Sequence, residues 1–207
     1  MYKENFGNIP NKDKIRSIMD EAFATNPTKW IIHSHLVGKT CEKIAKELGL
    51  DPDIALACGS LYNIGRGLGY DNMAHLLEGY RFLRSESYFL PARIALGYGF
   101  VTDSIDSYNG EKNVSEFDLD FIGKFLEKRE EALYEKLVIV VDNYIKNEYS
   151  SLAEKNEVEV ESRNPEISNI IDNWQKDLAK ILSKEIGAYV PRRRSYKFPY
   201  NLFEDQK

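Results

Sequence analysis

Long apolar runs, cysteine, flexible linkers and net positive charge are all scarce in this chain, and each scarcity narrows what it can be. No apolar run approaches the roughly 20 residues that cross a bilayer, and the start Met1-Tyr2-Lys3-Glu4-Asn5 lacks the apolar core of a secretory signal. The expectation is a cytoplasmic protein with no membrane partner. There are 2 cysteines in 207 residues. Cys41 and Cys58 both fall in apolar-periodic stretches without zinc spacing, so they read as buried, reduced thiols rather than a disulfide or a zinc site. The formal net charge is −5, which argues against general nucleic-acid binding, because that is driven by counterion release at basic surfaces. One local exception is Arg192-Arg193-Arg194-Ser195-Tyr196-Lys197-Phe198, where cations and aromatics interleave. Such a tail can stack on single-stranded bases, but the stronger expectation is a tail that packs on a helical core through its aromatics.

What is present suits a folded domain. Apolar residues make up 43% of the chain and aromatics 12%, enough for a sizeable core at a length that fits one domain. Neither an internal repeat nor a Gly/Ser linker divides it. Apolar residues recur at three- and four-residue spacing almost throughout, which predicts an all-α fold. Ile15, Ile18, Met19, Ala22 and Phe23 mark a first helix. Asn26-Pro27 offers a cap and a first-turn proline for a second, ending near Leu48-Gly49, with Ile32, Leu36, Val37, Thr40, Ile44 and Leu48 as its buried stripe. Asp51-Pro52 repeats the start signal. Further helices are predicted over 72–84, 89–96, 116–126 and 130–146, the third opened by the capping pattern Ser115-Glu116-Phe117-Asp118. Residues 102–113 read as a loop and 147–164 as a polar excursion. A last helix starts at Asn164-Pro165-Glu166 and stops at Gly187. The organisation is therefore a helical lead-in over 1–29, a central unit over 30–146, and a C-terminal extension over 147–207 that packs on the same domain.

Several elements of the central unit, in order, resemble the HD superfamily of metal-dependent phosphohydrolases. His33-Ser34-His35-Leu36-Val37-Gly38 resembles the helix that supplies that family's first metal ligand. Leu61-Tyr62-Asn63-Ile64-Gly65-Arg66 is similar to Leu-His-Asp-Ile-Gly-Arg, with Tyr62 and Asn63 in place of the metal-binding His and Asp. His75-Leu76-Leu77-Glu78-Gly79 is similar to a His-x-x-x-Gly element. Arg93-Ile94-Ala95-Leu96-Gly97-Tyr98 resembles an element that ends in His, here replaced by Tyr98. Residues 135–142 resemble the helix with the last metal-binding Asp, at Asp142. The likeness covers residues 30 to 144 and implies an HD-domain-like helical bundle.

The resemblance implies a divalent metal (manganese, iron, zinc or magnesium) on His33, Tyr62, Asn63 and Asp142, with His75 as a further ligand in members with two metals. Such a metal lowers the pKa of bound water and offsets developing phosphate charge. Only His33 and Asp142 keep ligand chemistry at those four positions. Asn63 lacks the carboxylate charge, and a neutral phenol with an unperturbed pKa of about 10 is a poor ligand. Asp142, once buried without metal, needs a cation or donors beside it. Tyr62 and Tyr98 can fill the vacated volume and hydrogen-bond inward. Arg66 can grip a phosphate bidentately or pair with a carboxylate, for which Asp142 is the preferred candidate. His35 reads as a packing or surface residue. No Ser/His/Asp or Cys/His triad is defensible, and Gly65, Gly67 and Gly69 follow a helix, which excludes a dinucleotide fingerprint.

The expectation is a degenerate hydrolase-like protein that binds a nucleotide or phosphorylated metabolite, or regulates, without catalysis. His33, Tyr62, Asn63, Arg66, His75, Tyr98 and Asp142 form its candidate pocket. Two alternatives stand beside it. One is a residual metal-dependent phosphohydrolase using His33, Asn63, His75 and Asp142. The other is a protein-interaction module.

Overall fold

Capping side chains decide where much of this chain becomes helix. The computed structural model describes residues 2–3, 5–28, 30–100, 102–129 and 132–152, without the side chains of residues 2, 3, 32 and 144–152. They form α1 (Lys12–Thr25), α2 (Trp30–Glu47), α3 (Pro52–Leu61), α4 (Ile64–Gly67), α5 (Asn72–Ser85), α6 (Phe89–Gly97), α7 (Glu116–Glu127) and α8 (Leu133–Leu152). A 3-10 turn lies at Ile105–Ser107, and a small antiparallel ladder pairs β1 (Tyr2–Lys3) with β2 (Gly7–Asn8). The fold is all-α, and no helix among the described residues is long and apolar enough to cross a membrane.

Asp51 opens α3 by accepting from the amides of Asp53 and Ile54, while Pro52 takes the first helical position, where a missing amide costs nothing. Ser115 opens α7 by accepting the Asp118 amide at 3.2 Å, and its hydroxyl donates to the Asp118 carboxylate at 2.8 Å. Gly49 closes α2 with φ +69°. The Leu50 amide returns to the Ala45 carbonyl at 2.9 Å and the Gly49 amide to that of Lys46 at 3.3 Å, the paired bonds of a left-handed glycine stop.

Three features differ from expectation. Asn26 does not start α2. Its amide N–H bonds the Ala22 carbonyl at 2.9 Å, closing α1, and its side chain donates to the Arg66 carbonyl at 2.7 Å. Pro27 explains this, because a proline pushes the residue before it out of helical geometry. The last described helix runs over Leu133–Leu152 instead of 130–146; no Gly or Pro occurs from 133 to 152 to break it. The expected lead-in also carries the unforeseen ladder. That arm docks on the turn between α5 and α6, with Asn8 N–H to Ser87 O and Leu90 N–H to Phe6 O, each 2.8 Å. The expected helix from 164 to 187, the basic tail and the excursion beyond 152 lie outside the described residues.

The main core gathers α2, α3, α6 and α8 around Val37, Cys41, Ala45, Ala55, Cys58, Leu61, Ile94, Leu137 and Val138, all without solvent exposure. On α2 the buried seam is Val37–Cys41–Ala45, while Leu36, Ile44 and Leu48 are partly buried at its edge. Thr40 is half-buried, so the stripe lies one position round from the one expected. Small residues there let α2 and α3 approach closely, and both flanks being apolar left the direction open. A second cluster packs α5, α6 and α7 through Met73, Leu76, Leu77, Leu96, Phe100, Ile122 and Leu126.

The short α4 presses its backbone onto α5. A Cβ added to Gly65 would stand 1.9 Å from the His75 carbonyl oxygen and 3.0 Å from the Gly79 nitrogen. Backbone on both sides cannot yield as a flexible side chain would, so Gly65→Ala is expected to cost about 1–3 kcal/mol or more in urea unfolding. An unchanged midpoint would contradict this close approach.

Candidate functional site

Chain segments far apart in sequence converge on one polar interior. His33 comes from α2, Tyr62 from the residue that caps α3, and Asn63 from the start of α4. His75 comes from α5, Tyr98 from the cap of α6, and Asp142 from α8. Tyr62 is 1% exposed, Asp142 3%, His75 4% and Asn63 6%. Polar groups so buried must find partners within the protein, since an unpaired one costs a few kcal/mol.

They do. Asp142 Oδ1 lies 2.5 Å from the Tyr62 hydroxyl and 2.6 Å from His33 Nε2. With the carboxylate ionised, both neighbours donate to the same oxygen. Across the site, the Tyr98 hydroxyl donates to Asn63 Oδ1 at 3.0 Å and lies 2.6 Å from His75 Nε2. A phenol has one proton, so that pattern makes His75 Nε2–H the donor to Tyr98. The two halves meet where the Tyr62 and Tyr98 rings pack edge to face, with centroids 4.6 Å apart at 82°.

Electrostatics favour the neutral phenols. Burial pushes the pKa of Tyr62 well above its ordinary value, and the Asp142 carboxylate pushes in the same direction. Burial also raises Tyr98, partly opposed by the nearby positive charge of Arg66. The thiol of Cys41, beneath the site, is raised by burial, then by Cys58 and Asp142. Both cysteines are buried and free.

Two candidates stand outside this interior. The Arg66 guanidinium pairs with Asp71 at 3.0 Å rather than taking the preferred place beside Asp142. Its side chain is 39% exposed. Since Tyr62 and His33 already compensate Asp142, moving the cation inward would cost desolvation without need. Arg66 instead sits at the edge of this interior, where it bears on Tyr98 by charge and hydrogen bond and on Tyr108 by charge. Tyr108 is an addition that sequence spacing gave no sign of. Its pKa is pushed up to about 12 by burial, against the pull of Arg66. His35, two residues from His33 on α2, lies on a different side of that helix; it is half-buried, and burial, then Lys39 and Arg16, lower its pKa. A buried ion pair also went unseen in the sequence: Arg129 and Glu135, 2.9 Å apart, with side chains 3% and 5% exposed. Arg129 also donates to the Phe100 carbonyl at 2.8 Å, tying the segment before α8 to the end of α6.

The residues do not fit a divalent metal. The atoms of His33 and Asp142 that would coordinate one are joined to each other by a hydrogen bond, and the Tyr62 hydroxyl donates to the same carboxylate oxygen. Among the described residues, no group of three or more His, Cys, Asp or Glu side chains could hold a metal ion. No family model matches the chain, and neither a curated protein nor a solved structure matches it.

A tyrosine whose folded pKa is raised contributes stability that is fully present below its unfolded pKa of about 10 and is lost as pH rises beyond it. Each such group lowers the unfolding free energy by about 1.4 kcal/mol per pH unit there. Denaturant unfolding across alkaline pH should therefore show a decline that becomes shallower by that amount in Tyr62→Phe. At neutral pH the same substitution should cost about 1–3 kcal/mol, because Asp142 loses a donor. A variant as stable as the parent, with an unchanged alkaline slope, would contradict the network.

Proposed function

We propose that this chain is a non-catalytic protein with the HD-domain-like bundle its sequence resembles, in which hydrogen bonds replace the metal centre. Its function is to bind a nucleotide or another phosphorylated small molecule and to regulate through that binding. The observation that carries the non-catalytic part is the compensation of Asp142 by Tyr62 and His33. Hydrolysis of the kind the resemblance implies needs a cation where these donors converge. A carboxylate whose oxygen already takes two hydrogen bonds is poorly placed to supply a metal ligand.

Arg66 supports the binding part. It is a half-exposed guanidinium beside Tyr98, and Asp71, with which it pairs, has a side chain that is 77% exposed. Solvent-exposed pairs of this kind contribute about 0–1 kcal/mol. A phosphate dianion, accepting two parallel N–H bonds from the guanidinium, can displace such a partner at little cost. The buried tyrosines behind it offer a rigid wall, and His33, 19% exposed through its side chain, borders the same interior.

Calorimetric titration with a panel of nucleoside mono-, di- and triphosphates and sugar phosphates tests this reading. At least one class should bind saturably without added divalent metal. Arg66→Ala should weaken that binding by about tenfold, the equivalent of about 1.4 kcal/mol, while leaving the unfolding midpoint nearly unchanged. Absence of binding across the panel, or binding indifferent to Arg66, would sink it.

A further inference from the structure

On another face of the molecule, the starts of α1 and α3 enclose a groove of about 460 Å³. Ile9, Pro10 and Ile54 form its apolar floor, and Asp13, Asp51 and Asp53 contribute its carboxylates. Lys12 also lines it, but that ammonium is turned to Glu42, 2.8 Å away. The groove is therefore anionic above an apolar base. That combination disfavours a phosphorylated ligand or nucleic acid. A divalent ion is disfavoured too, since no three carboxylates here stand close enough to share one. What suits it is positive charge distributed along an extended segment, accompanied by aromatic or aliphatic side chains.

The chain itself contains such a segment. Arg192-Arg193-Arg194-Ser195-Tyr196-Lys197-Phe198 is its one strongly basic cluster, in a protein of net charge −5. Topology puts the groove within its reach. Asp51 N–H donates to the Tyr134 hydroxyl at 3.1 Å, so α8 begins beside the groove. That helix then leads about 30 Å away over its 20 residues. Arg192 follows Leu152, the end of α8, by 40 residues, and at about 3.3 Å per residue that length of chain can span far more than the roughly 30 Å back to the groove.

We infer that the basic tail, Arg192 to Phe198, docks in the groove between the starts of α1 and α3, its cations on Asp13, Asp51 and Asp53 and its aromatics on the apolar floor. The contact is intramolecular and depends on charge. Exposed ion pairs are individually weak. A tethered segment nonetheless meets its site at millimolar effective concentration, so a weak site suffices to hold it.

Paramagnetic relaxation enhancement on the full chain tests the assignment. Cys41 and Cys58 have no solvent exposure, so a nitroxide can be attached selectively to Ser195→Cys. Amides of residues 11–13 and 51–54 should broaden at low salt and recover in 0.5 M salt, where screening acts over only a few ångströms. Asp13→Asn combined with Asp53→Asn, which leaves the helix cap at Asp51 intact, should lower the docking equilibrium about tenfold. No broadening at these amides, or broadening that ignores both salt and charge, overturns the proposal. Broadening that survives when the nitroxide and the isotope label are on different molecules assigns the groove to the tail of a second copy, and that also overturns it.

Discussion

Asp142 is a carboxylate in the middle of α8 with almost no access to water, and an ion in that position must be compensated by something. In an interior of low dielectric, an uncompensated charge costs several kcal/mol, enough to consume much of a domain's net stability. Here the compensation comes from the Tyr62 hydroxyl and His33 on a single oxygen. Because those partners sit on α3 and α2, the requirement to satisfy one buried charge fixes how three helices meet. The Tyr62 ring then packs against Tyr98, whose hydroxyl engages His75 and Asn63 and adds α6, α5 and α4 to the arrangement.

This arrangement has a chemical consequence. His33, Tyr62, Asn63, His75, Tyr98 and Asp142 are each hydrogen-bonded to another side chain of the set. At the edge of this interior stands Arg66, which pairs with the exposed Asp71 and bears on Tyr98. The contrast between a committed interior and a loosely committed cation at its edge motivates reading the chain as a binding protein. Gly65 adds rigidity between the two, since its backbone lies against the His75 carbonyl.

The local parts of the fold were legible in the sequence. Asp51-Pro52, Ser115 with Asp118, and Gly49 act within a few residues, and the structure uses them as their chemistry requires. Elements made by distant partners were not legible. The docking of the N-terminal arm depends on carbonyls and amides of Phe6, Asn8, Ser87 and Leu90, none of which carries a side-chain signal. The seam of α2 was misjudged by one position because apolar residues flank it on both sides. Asn26 looked like a helix start and proved to be a helix end, tied to Arg66 by its amide.

For the candidate site, the resemblance nominated the residues, and physical reasoning supplied the need for donors beside Asp142. The resemblance put Tyr62, 80 residues away, at the same site with a hydroxyl able to hydrogen-bond inward; its acceptor, Asp142 Oδ1, comes from the structure. The pairing of Arg66 was misjudged because a surface partner, Asp71, costs less than a buried one. The most direct test of the central claim is elemental analysis of purified, tag-free protein after incubation with manganese, iron and zinc and removal of loosely held ions. A compensation by Tyr62 and His33 predicts far less than one equivalent of any of them. One equivalent of metal, lost on Asp142→Ala or His33→Ala, would contradict it.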